Sequence, residues 1–243
     1  MKRFVCSALC LVFAFNLSYA DTVMRVVKKD GTVEKYKVSD VDFVDFEEDS
    51  SVFNPQVYEF VDLGLPSGTL WATCNVGAIS QEDYGDYFAW GETSPKSEYF
   101  YDNNKWYSEE GETQMSKYNE VDSLTLLLPE DDAATVNWGE EWRMPTEDEI
   151  RELEQKCTYT WIEINGVGGG QFTGPNGNSI FIPASGDYYG SKLNSESKFG
   201  YFWSSSLMGK GERSAYYMSV FTDGQGANGD ARGTGKPVRP VRK

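Results

Sequence analysis

The stretch that decides the fold of this chain is Gly139-Glu140-Glu141-Trp142-Arg143-Met144-Pro145-Thr146-Glu147-Asp148-Glu149-Ile150. Thr146 can accept a hydrogen bond from the amide of Glu149 while the Glu149 side chain reaches back, which is the capping-box arrangement. Pro145 disfavours a helical conformation at Met144, so an extended segment should lead into the helix. We therefore predict one principal helix that begins after Thr146. Its predicted inner face consists of Ile150, Leu153 and Cys157.

Short strand-like segments lie on both sides of this helix, separated by turns rich in Gly and Asn. Asp131 or Asp132 can cap a short helix that Gly139 closes. Residues 92–128 show little periodicity and are predicted to form a long loop. Early strands, one or two helices and a late group of strands predict an α+β fold with a small twisted antiparallel sheet. The predicted strands are residues 58–62, 70–75, 86–90, 159–164, 171–173, 178–183, 200–204, 215–221 and 237–242.

The N-terminus has the pattern of a secretory signal peptide. Two basic residues precede a nearly continuous apolar stretch over residues 4–17, and Ser18-Tyr19-Ala20 fits a cleavage site. We therefore expect the mature chain to begin at Asp21. The apolar stretch is shorter than the ~20 residues of a membrane span, which favours a signal peptide over a membrane anchor. Lipidation at Cys10 is the alternative. The prediction is an exported protein, secreted or at the cell surface, with a periplasmic location also open.

Ahead of the main domain, the sequence predicts a small β-module. Two strand-like segments, residues 23–28 and 33–38, flank an Asp30-Gly31 hairpin signal, and residues 41–46 form a third candidate strand. An isolated hairpin is only marginally stable in water, so these strands should pack on, or pair with, another element. The predicted boundaries are 1–20 for the signal peptide, 21–46 for the β-module, 47–57 for an acidic, serine-rich linker and 58–243 for the main domain.

Two cysteines remain once the signal peptide is removed, Cys74 and Cys157. In an oxidising compartment such a pair favours one disulfide bond. Two buried free thiols, which behave as small apolar side chains, are the alternative. The spacing does not distinguish these states, and both stay open.

Composition excludes several classes of function. The chain has 22 Lys and Arg against 38 Asp and Glu, a net charge of −16, which opposes binding to nucleic acid or to an anionic membrane. It has no histidine, which excludes Ser-His-Asp and Cys-His catalysis and histidine zinc sites. A carboxylate pair remains open to an enzyme, but the sequence singles out no two acids. We expect a non-catalytic protein with no metal site and no cofactor.

Four further runs accompany the 139–150 stretch in matching order. They are Leu63-Gly64-Leu65-Pro66-Ser67-Gly68-Thr69-Leu70-Trp71-Ala72-Thr73, Asn75-Val76-Gly77-Ala78, Tyr201-Phe202-Trp203-Ser204-Ser205-Ser206 and Pro237-Val238-Arg239-Pro240-Val241-Arg242. Together these runs resemble the Fibrobacter succinogenes major paralogous domain (FISUMP) over residues 58–243. That family occurs in secreted and surface proteins of gut-type, Bacteroidota-like bacteria, and it is similar to the C-type-lectin-like fold. The resemblance implies such a domain, with one principal helix and long loops.

The aromatic and basic residues of these runs are predicted to be structural. Trp203 lies in an alternating strand and should pack against the inner face of the principal helix, with ligand contact as the alternative. Arg143 and Arg239 should satisfy buried carbonyls or an acidic partner such as Asp62. The predicted structural residues are Trp142, Arg143, Thr146, Trp203 and Arg239.

The main candidate for ligand binding is a glycine-rich loop predicted at residues 222–233. Glycine permits tight turns, and the Asp, Gln and Asn side chains suit sugar hydroxyls or a hard cation. C-type-lectin-like domains usually present ligand loops in this position, but the calcium signatures of lectins are absent, so calcium is left open. A solvated hairpin loop without a ligand is the alternative. The candidate residues are Asp223, Gln225, Asn228, Asp230 and Arg232.

Aromatic residues of the long loop form a second candidate surface. Tyr99-Phe100-Tyr101, Trp106-Tyr107 and Tyr118 offer rings that can stack on sugar faces. More often such rings pin an irregular loop to the core.

Three classes of function follow from these observations. The first is an exported, non-catalytic recognition or adhesion domain that binds glycan or protein at or outside the cell surface. The second is a structural subunit of a surface assembly, fimbria-like, in which residues 21–46 pair with a partner's sheet edge. The third is a carbohydrate-active enzyme that uses two carboxylates. We predict the first.

Overall fold

The structure, a computed structural model, describes residues 23–27, 33–40, 58–109, 114–209 and 213–243. The chain divides into two compact units, Met1–Pro55 and Gln56–Lys243. In the first unit, β1 (Val23–Val27) and β2 (Val33–Lys37) pair as antiparallel strands along their whole length, which confirms the predicted pairing. The predicted signal peptide, hairpin turn, third strand and linker lie outside the described residues.

The second unit is an α+β domain built mainly from short strands. Within the described residues, no helix combines the length and the apolar character that a membrane crossing requires. The α-helices and strands of the second unit are β3 (Phe60–Asp62), β4 (Leu70–Ala72), α1 (Ala133–Trp138), α2 (Glu147–Lys156), β5 (Thr158–Ile164), β6 (Val167–Thr173), β7 (Ser179–Pro183), β8 (Asp187–Tyr189), β9 (Lys192–Asn194), β10 (Phe199–Leu207), β11 (Ser214–Phe221), β12 (Gly224–Ala231) and β13 (Val241–Arg242).

Antiparallel pairing divides the described strands of this unit into several small sheets. β10, β11 and β12 form one sheet, β5, β6 and β7 a second, and β13, β4 and β3 a third, while β8 and β9 form a two-stranded ribbon. The prediction of one small sheet is therefore wrong. Consecutive strands pair locally through hairpins, and among the described strands only the very short β13 and β4 pair across most of the chain length.

The two helices begin as the sequence predicts. Thr146 caps α2: its hydroxyl accepts a hydrogen bond from the Glu149 amide at 3.3 Å, and the Glu149 carboxylate accepts one from the Thr146 amide at 2.9 Å. Ile150 and Leu153 face inward and are fully buried. Asp132 caps α1 by accepting from two amides of its first turn. Local capping chemistry therefore places both helix starts.

The core contains two hydrophobic clusters that meet at β10. Phe202 belongs to the first cluster, with Ile150 and Leu153 of α2. Trp203 belongs to the second, with Met144. The predicted packing of Trp203 against α2 is therefore wrong. Consecutive strand residues point to opposite faces, and the register of β10 turns Phe202, not Trp203, toward the helix.

Residues 232–241, here called the C-terminal segment, are buried along their whole length. Their backbone groups hydrogen-bond to Phe88, Tyr188, Arg143 and Trp203, which lie in four separate parts of the domain. A segment bonded on so many sides places its own side chains in the interior. The charged residues of the C-terminal segment, Arg232, Lys236 and Arg239, are therefore buried.

The largest departure from prediction concerns residues 222–233. They are not a long loop, because β12 pairs with β11 along its full length after a tight turn at residues 222–223. Gly, Asn and Asp have low strand propensity, but pairing with the apolar β11 overrides it. Residues 86–90 make a single bridge, between Phe88 and Lys236, instead of a strand. The β8–β9 ribbon was not predicted.

Candidate functional site

Arg239 is a structural residue of the C-terminal segment. Its side chain is fully buried and donates to the carbonyls of Ala72, Thr73 and Phe181 and to the side-chain oxygen of Asn75, at 2.9–3.1 Å. Burial lowers the pKa of Arg239 to about 10, so it remains charged at neutral pH. These bonds join β4, β7 and the C-terminal segment, as the expectation of buried carbonyl partners requires.

Arg143 is held by an acid, but not by the suggested Asp62. It donates two hydrogen bonds to the Glu149 carboxylate, at 2.6 and 2.7 Å. Glu149 also accepts from the Thr146 amide and from the Thr69 hydroxyl. Burial alone would raise the pKa of Glu149, but these donors outweigh it and lower the pKa to about 2. The 139–150 stretch thus forms an ion pair and several hydrogen bonds at the start of α2.

Trp142 holds an aromatic group that opens to the surface. Its ring is almost fully buried and lies edge-on to Trp138, with centroids 5.1 Å apart. Trp138 in turn stacks on Tyr58, with centroids 3.7 Å apart and planes within 6°. Tyr58 and Trp138 are half-buried. The buried indole therefore supports two rings that reach solvent.

These two rings line a surface cleft of about 280 Å³, called the aromatic cleft. Asp86 lies in its wall and is exposed, and partial burial raises the pKa of its carboxyl group. Among the described residues, the Asp86 carboxylate has no hydrogen-bond or ion-pair partner. Other lining residues are Val76, Gly77, Ala78, Ile79 and Asn137.

The aromatic cleft has further groups that suit a polar ligand with an apolar face. Ile79 is 94% exposed at its rim. The Asn137 amide nitrogen donates to the carbonyls of Thr93 and Ala133, which leaves its carbonyl oxygen as an acceptor. Gly77 has a φ of +82°, and a Cβ there would meet the Asp86 carboxylate at 2.5 Å. Only glycine lets the loop approach Asp86 this closely.

A second cleft, of about 430 Å³, lies beside residues 119–125 and the end of β10. We call it the 119–125 cleft. Asn119 in its wall is saturated by its own loop: its oxygen accepts from the amides of Val121 and Asp122, and its nitrogen donates to the Met115 carbonyl. None of its described lining residues is aromatic. Its polar groups therefore hold the loop together.

The predicted ligand residues do not form one cluster. Asp223 is exposed in the β11–β12 turn and Asp230 lies seven residues along β12, roughly 23 Å away at the rise of a strand. Gln225 contacts the Glu154 carbonyl, and Asn228 donates to the Ser219 hydroxyl. Arg232 is fully buried, donates to the carbonyls of Lys117 and Tyr118, and lies over the Trp90 ring.

The aromatic residues of the long loop, residues 92–128, pack against the core. Tyr99 and Tyr118 are almost fully buried, and their hydroxyls donate to the Tyr87 carbonyl and to the Asp131 carboxylate. Trp106 is half-buried, with two lysine ammonium groups within 5 Å of its ring centre. These rings fasten the long loop to the core instead of forming an open platform.

The two cysteines are free thiols, which is the second of the two alternatives. Both are half-buried, and burial raises the pKa of Cys74 and raises that of Cys157 to about 11. A thiol with a raised pKa is a poor nucleophile. The described residues also contain no group of three or more acidic or cysteine side chains placed to hold a metal ion.

The aromatic cleft was missed by the sequence reasoning because its parts come from residues 58, 76–79, 86 and 137–138. The run Asn75-Val76-Gly77-Ala78 belongs to the sequence motifs, but nothing in it indicates that Trp138 lies nearby. Comparisons with protein-family models, with curated proteins and with solved structures found no match.

Proposed function

We propose that this chain is an exported, non-catalytic recognition domain that binds one neutral sugar unit of a glycan in the aromatic cleft. The observation that carries the proposal is the stacked pair Tyr58 and Trp138 beside the unpaired Asp86 carboxylate. A C-type-lectin-like fold of the FISUMP type is part of the same proposal. Its support is that Arg239, which is buried, and Arg143, which is half-buried, each lie in a hydrogen-bond network that holds the domain together.

The chemistry of the aromatic cleft matches the two sides of a sugar. A pyranose ring has an apolar face of C–H groups, which packs on an aromatic ring, and a rim of hydroxyl groups. Trp138 and Tyr58 supply rings, and Asp86 and the Asn137 carbonyl supply acceptors for hydroxyl hydrogens. Small-molecule sites commonly combine an apolar wall with a few placed polar groups in this way.

Size and charge narrow the ligand further. A volume of about 280 Å³ is near the lower end of the range for small-molecule sites, roughly 300–1,000 Å³. It therefore fits one sugar unit, with the rest of the glycan outside. The chain has a net charge of −16 and an acid in the cleft wall, so uronic and sialic acids are repelled and neutral sugars are favoured.

The cleft is fixed before any ligand arrives. Trp142 is buried and contacts both outer rings edge-on, and Tyr58 covers a face of Trp138. Rings held in this way lose little conformational entropy on binding. A neutral sugar can then be bound without a metal ion.

The test is a binding screen of the mature chain against neutral and acidic glycans, repeated with the variants Asp86→Asn and Trp138→Ala. Each variant should weaken binding of the selected neutral glycan about tenfold or more, since a lost ring contact or charged hydrogen bond is worth ~1–3 kcal/mol. Binding should be unchanged by a chelator.

Tyr189→Ala is the matched control, because this ring is 61% exposed and lies outside the aromatic cleft. It should bind as the unchanged chain does. Equal losses in Tyr189→Ala and Trp138→Ala, a preference for acidic glycans, or turnover of the glycan would each contradict the proposal.

A further inference from the structure

Lys236 is a buried amine that the proposed recognition function does not use. Its side chain is 1% exposed, and its Nζ atom lies 2.7 Å from an oxygen of Asp187 and 2.7 Å from an oxygen of Asp230. Lysine is almost never buried to this extent without a partner. Here it has two, from β8 and β12, while the lysine itself belongs to the C-terminal segment.

Aromatic rings surround the amine and keep water away. The centres of the Tyr201, Trp203 and Tyr217 rings lie 4.7, 5.2 and 4.5 Å from Nζ. The three rings exclude water from the amine and hold its Nζ atom beside the two carboxylates.

The backbone fixes the distance between the amine and Asp187. Gly235 and Tyr188, the neighbours of the two residues, exchange two hydrogen bonds of 2.8 and 2.9 Å. On the other side, Lys236 and Phe88 exchange two more, each of 3.0 Å. A nucleophile and a carboxyl carbon held in contact by a rigid frame react as a unimolecular pair.

The two carboxylates differ in how they are held. Asp230 accepts from the Ala231 amide at 2.7 Å and from the Thr234 hydroxyl at 3.2 Å, in addition to the lysine. Asp187 has Lys236 as its hydrogen-bond partner among the described residues. Asp187 therefore has fewer hydrogen bonds to lose when its carboxyl group is converted, and Asp230 is held in place beside the amine, where it can carry a proton.

We propose that Lys236 and Asp187 join as an intramolecular amide, with Asp230 as the proton carrier. The ammonium first gives one proton to the Asp187 carboxylate. The Nζ lone pair then attacks the Asp187 carboxyl carbon, and a carbon–nitrogen bond forms. Asp230 takes a proton from the attacking nitrogen and passes it to the Asp187 hydroxyl, whose carbon–oxygen bond breaks. One water molecule leaves, the carbonyl re-forms, and no oxidant or other co-reactant is needed.

The bond would fasten the C-terminal segment to β8 by a covalent link that spans 49 residues of sequence. The link would resist pulling and proteolysis, which suits a domain that works outside the cell. It is independent of the aromatic cleft, whose residues it does not share. Failure of glycan binding would leave this proposal untouched.

The test is the intact mass of the exported, mature chain, fresh and after long incubation, beside Lys236→Met, Asp187→Ala and Asp230→Asn. The unchanged chain should be lighter by one water than its sequence requires, and each variant should keep its full mass. A digest of the unchanged chain should contain one branched peptide that joins residue 236 to residue 187. All chains share one N-terminus, so differences between them are unambiguous.

Asp223→Ala is the control, because Asp223 is exposed and followed by glycine, where ring closure of the aspartate also loses water, and alanine cannot close this ring. It should keep the branched peptide. An unchanged chain at full mass after incubation overturns the proposal, whether or not the variants fold. So does a water loss that persists in Asp187→Ala, or a digest in which residues 187 and 236 occur only in separate peptides.

Discussion

The C-terminal segment and the aromatic cleft differ in whether their charged side chains have partners within the domain. In the C-terminal segment, Arg239 and Lys236 are buried, and each contacts several acceptors of the same domain. In the aromatic cleft, the Asp86 carboxylate is exposed and none of the described residues pairs with it. Groups that the chain satisfies hold the fold, and groups that it leaves unsatisfied are available to a ligand. This difference separates motif residues from binding residues.

The largest expected effect is on stability, from Arg239→Met. This variant removes the donors of three buried carbonyls and of Asn75. We expect a loss of ~3–5 kcal/mol in the free energy of unfolding, since the partners stay buried and unpaired. Urea unfolding of the mature chain measures it. Arg151→Met is the matched control, because that arginine makes a partly exposed pair with Glu147. This variant should lower the free energy of unfolding by under ~1 kcal/mol.

The Glu149 network predicts a pH dependence of stability. The pKa of the Glu149 carboxyl group is lowered from 4.5 to about 2 in the folded chain. Its contribution to the free energy of unfolding is therefore complete above pH 4.5. It is lost as the pH falls through that value toward 2, and its full size is about 3 kcal/mol. Unfolding curves between these pH values measure the loss. Arg143→Met should flatten the dependence, and an equally steep curve in that variant would contradict the account.

Gly77 links stability with binding at the aromatic cleft. Gly77→Ala places a Cβ against the Asp86 carboxylate at a positive φ, and should cost ~1–3 kcal/mol and weaken glycan binding. Gly177 also has a positive φ, of +87°, but nothing lies within 4 Å of an added Cβ. Gly177→Ala should therefore cost ~1 kcal/mol and leave binding intact. Equal binding losses in both variants would argue against a ligand at Asp86.

The smallest effects should come from the residues that the sequence favoured for ligand binding. Asp223→Ala and Asn228→Ala change exposed side chains of the β11–β12 hairpin, away from the aromatic cleft. Each should alter the free energy of unfolding by less than ~0.5 kcal/mol. Glycan affinity should stay within twofold of the unchanged chain, roughly 0.4 kcal/mol. A large loss of affinity in either variant would indicate that the glycan binds at the β11–β12 hairpin instead of the aromatic cleft.

Local chemistry accounts for what the sequence predicted correctly. The caps of α1 and α2, the β1–β2 pairing and the buried partners of Arg239 follow from nearby residues or from the cost of burying a charge. Strand β12 was missed because its composition is that of a turn, and its partner β11 decides its conformation.

The packing of Trp203 and the existence of the aromatic cleft could not be predicted from nearby residues either. Both depend on register and on contacts between distant segments. One residue of shift in β10 exchanges Phe202 with Trp203 at the face of α2. Tyr58 and Trp138 are 80 positions apart and meet only in the folded domain. Patterns within a segment contain no information about either contact.

The most direct test of the central claim is an NMR titration of the indole N–H groups with methyl glycosides of neutral hexoses. The Trp138 signal should shift on binding. The signals of Trp90 and Trp203 should stay in place, because their N–H groups are buried and donate to the carbonyls of Ser204 and Phe88. A saturable shift of Trp138, with the Trp90 and Trp203 signals unchanged, is the predicted result. No shift of Trp138 with any neutral hexose, or equal shifts of all three indoles, would contradict the account.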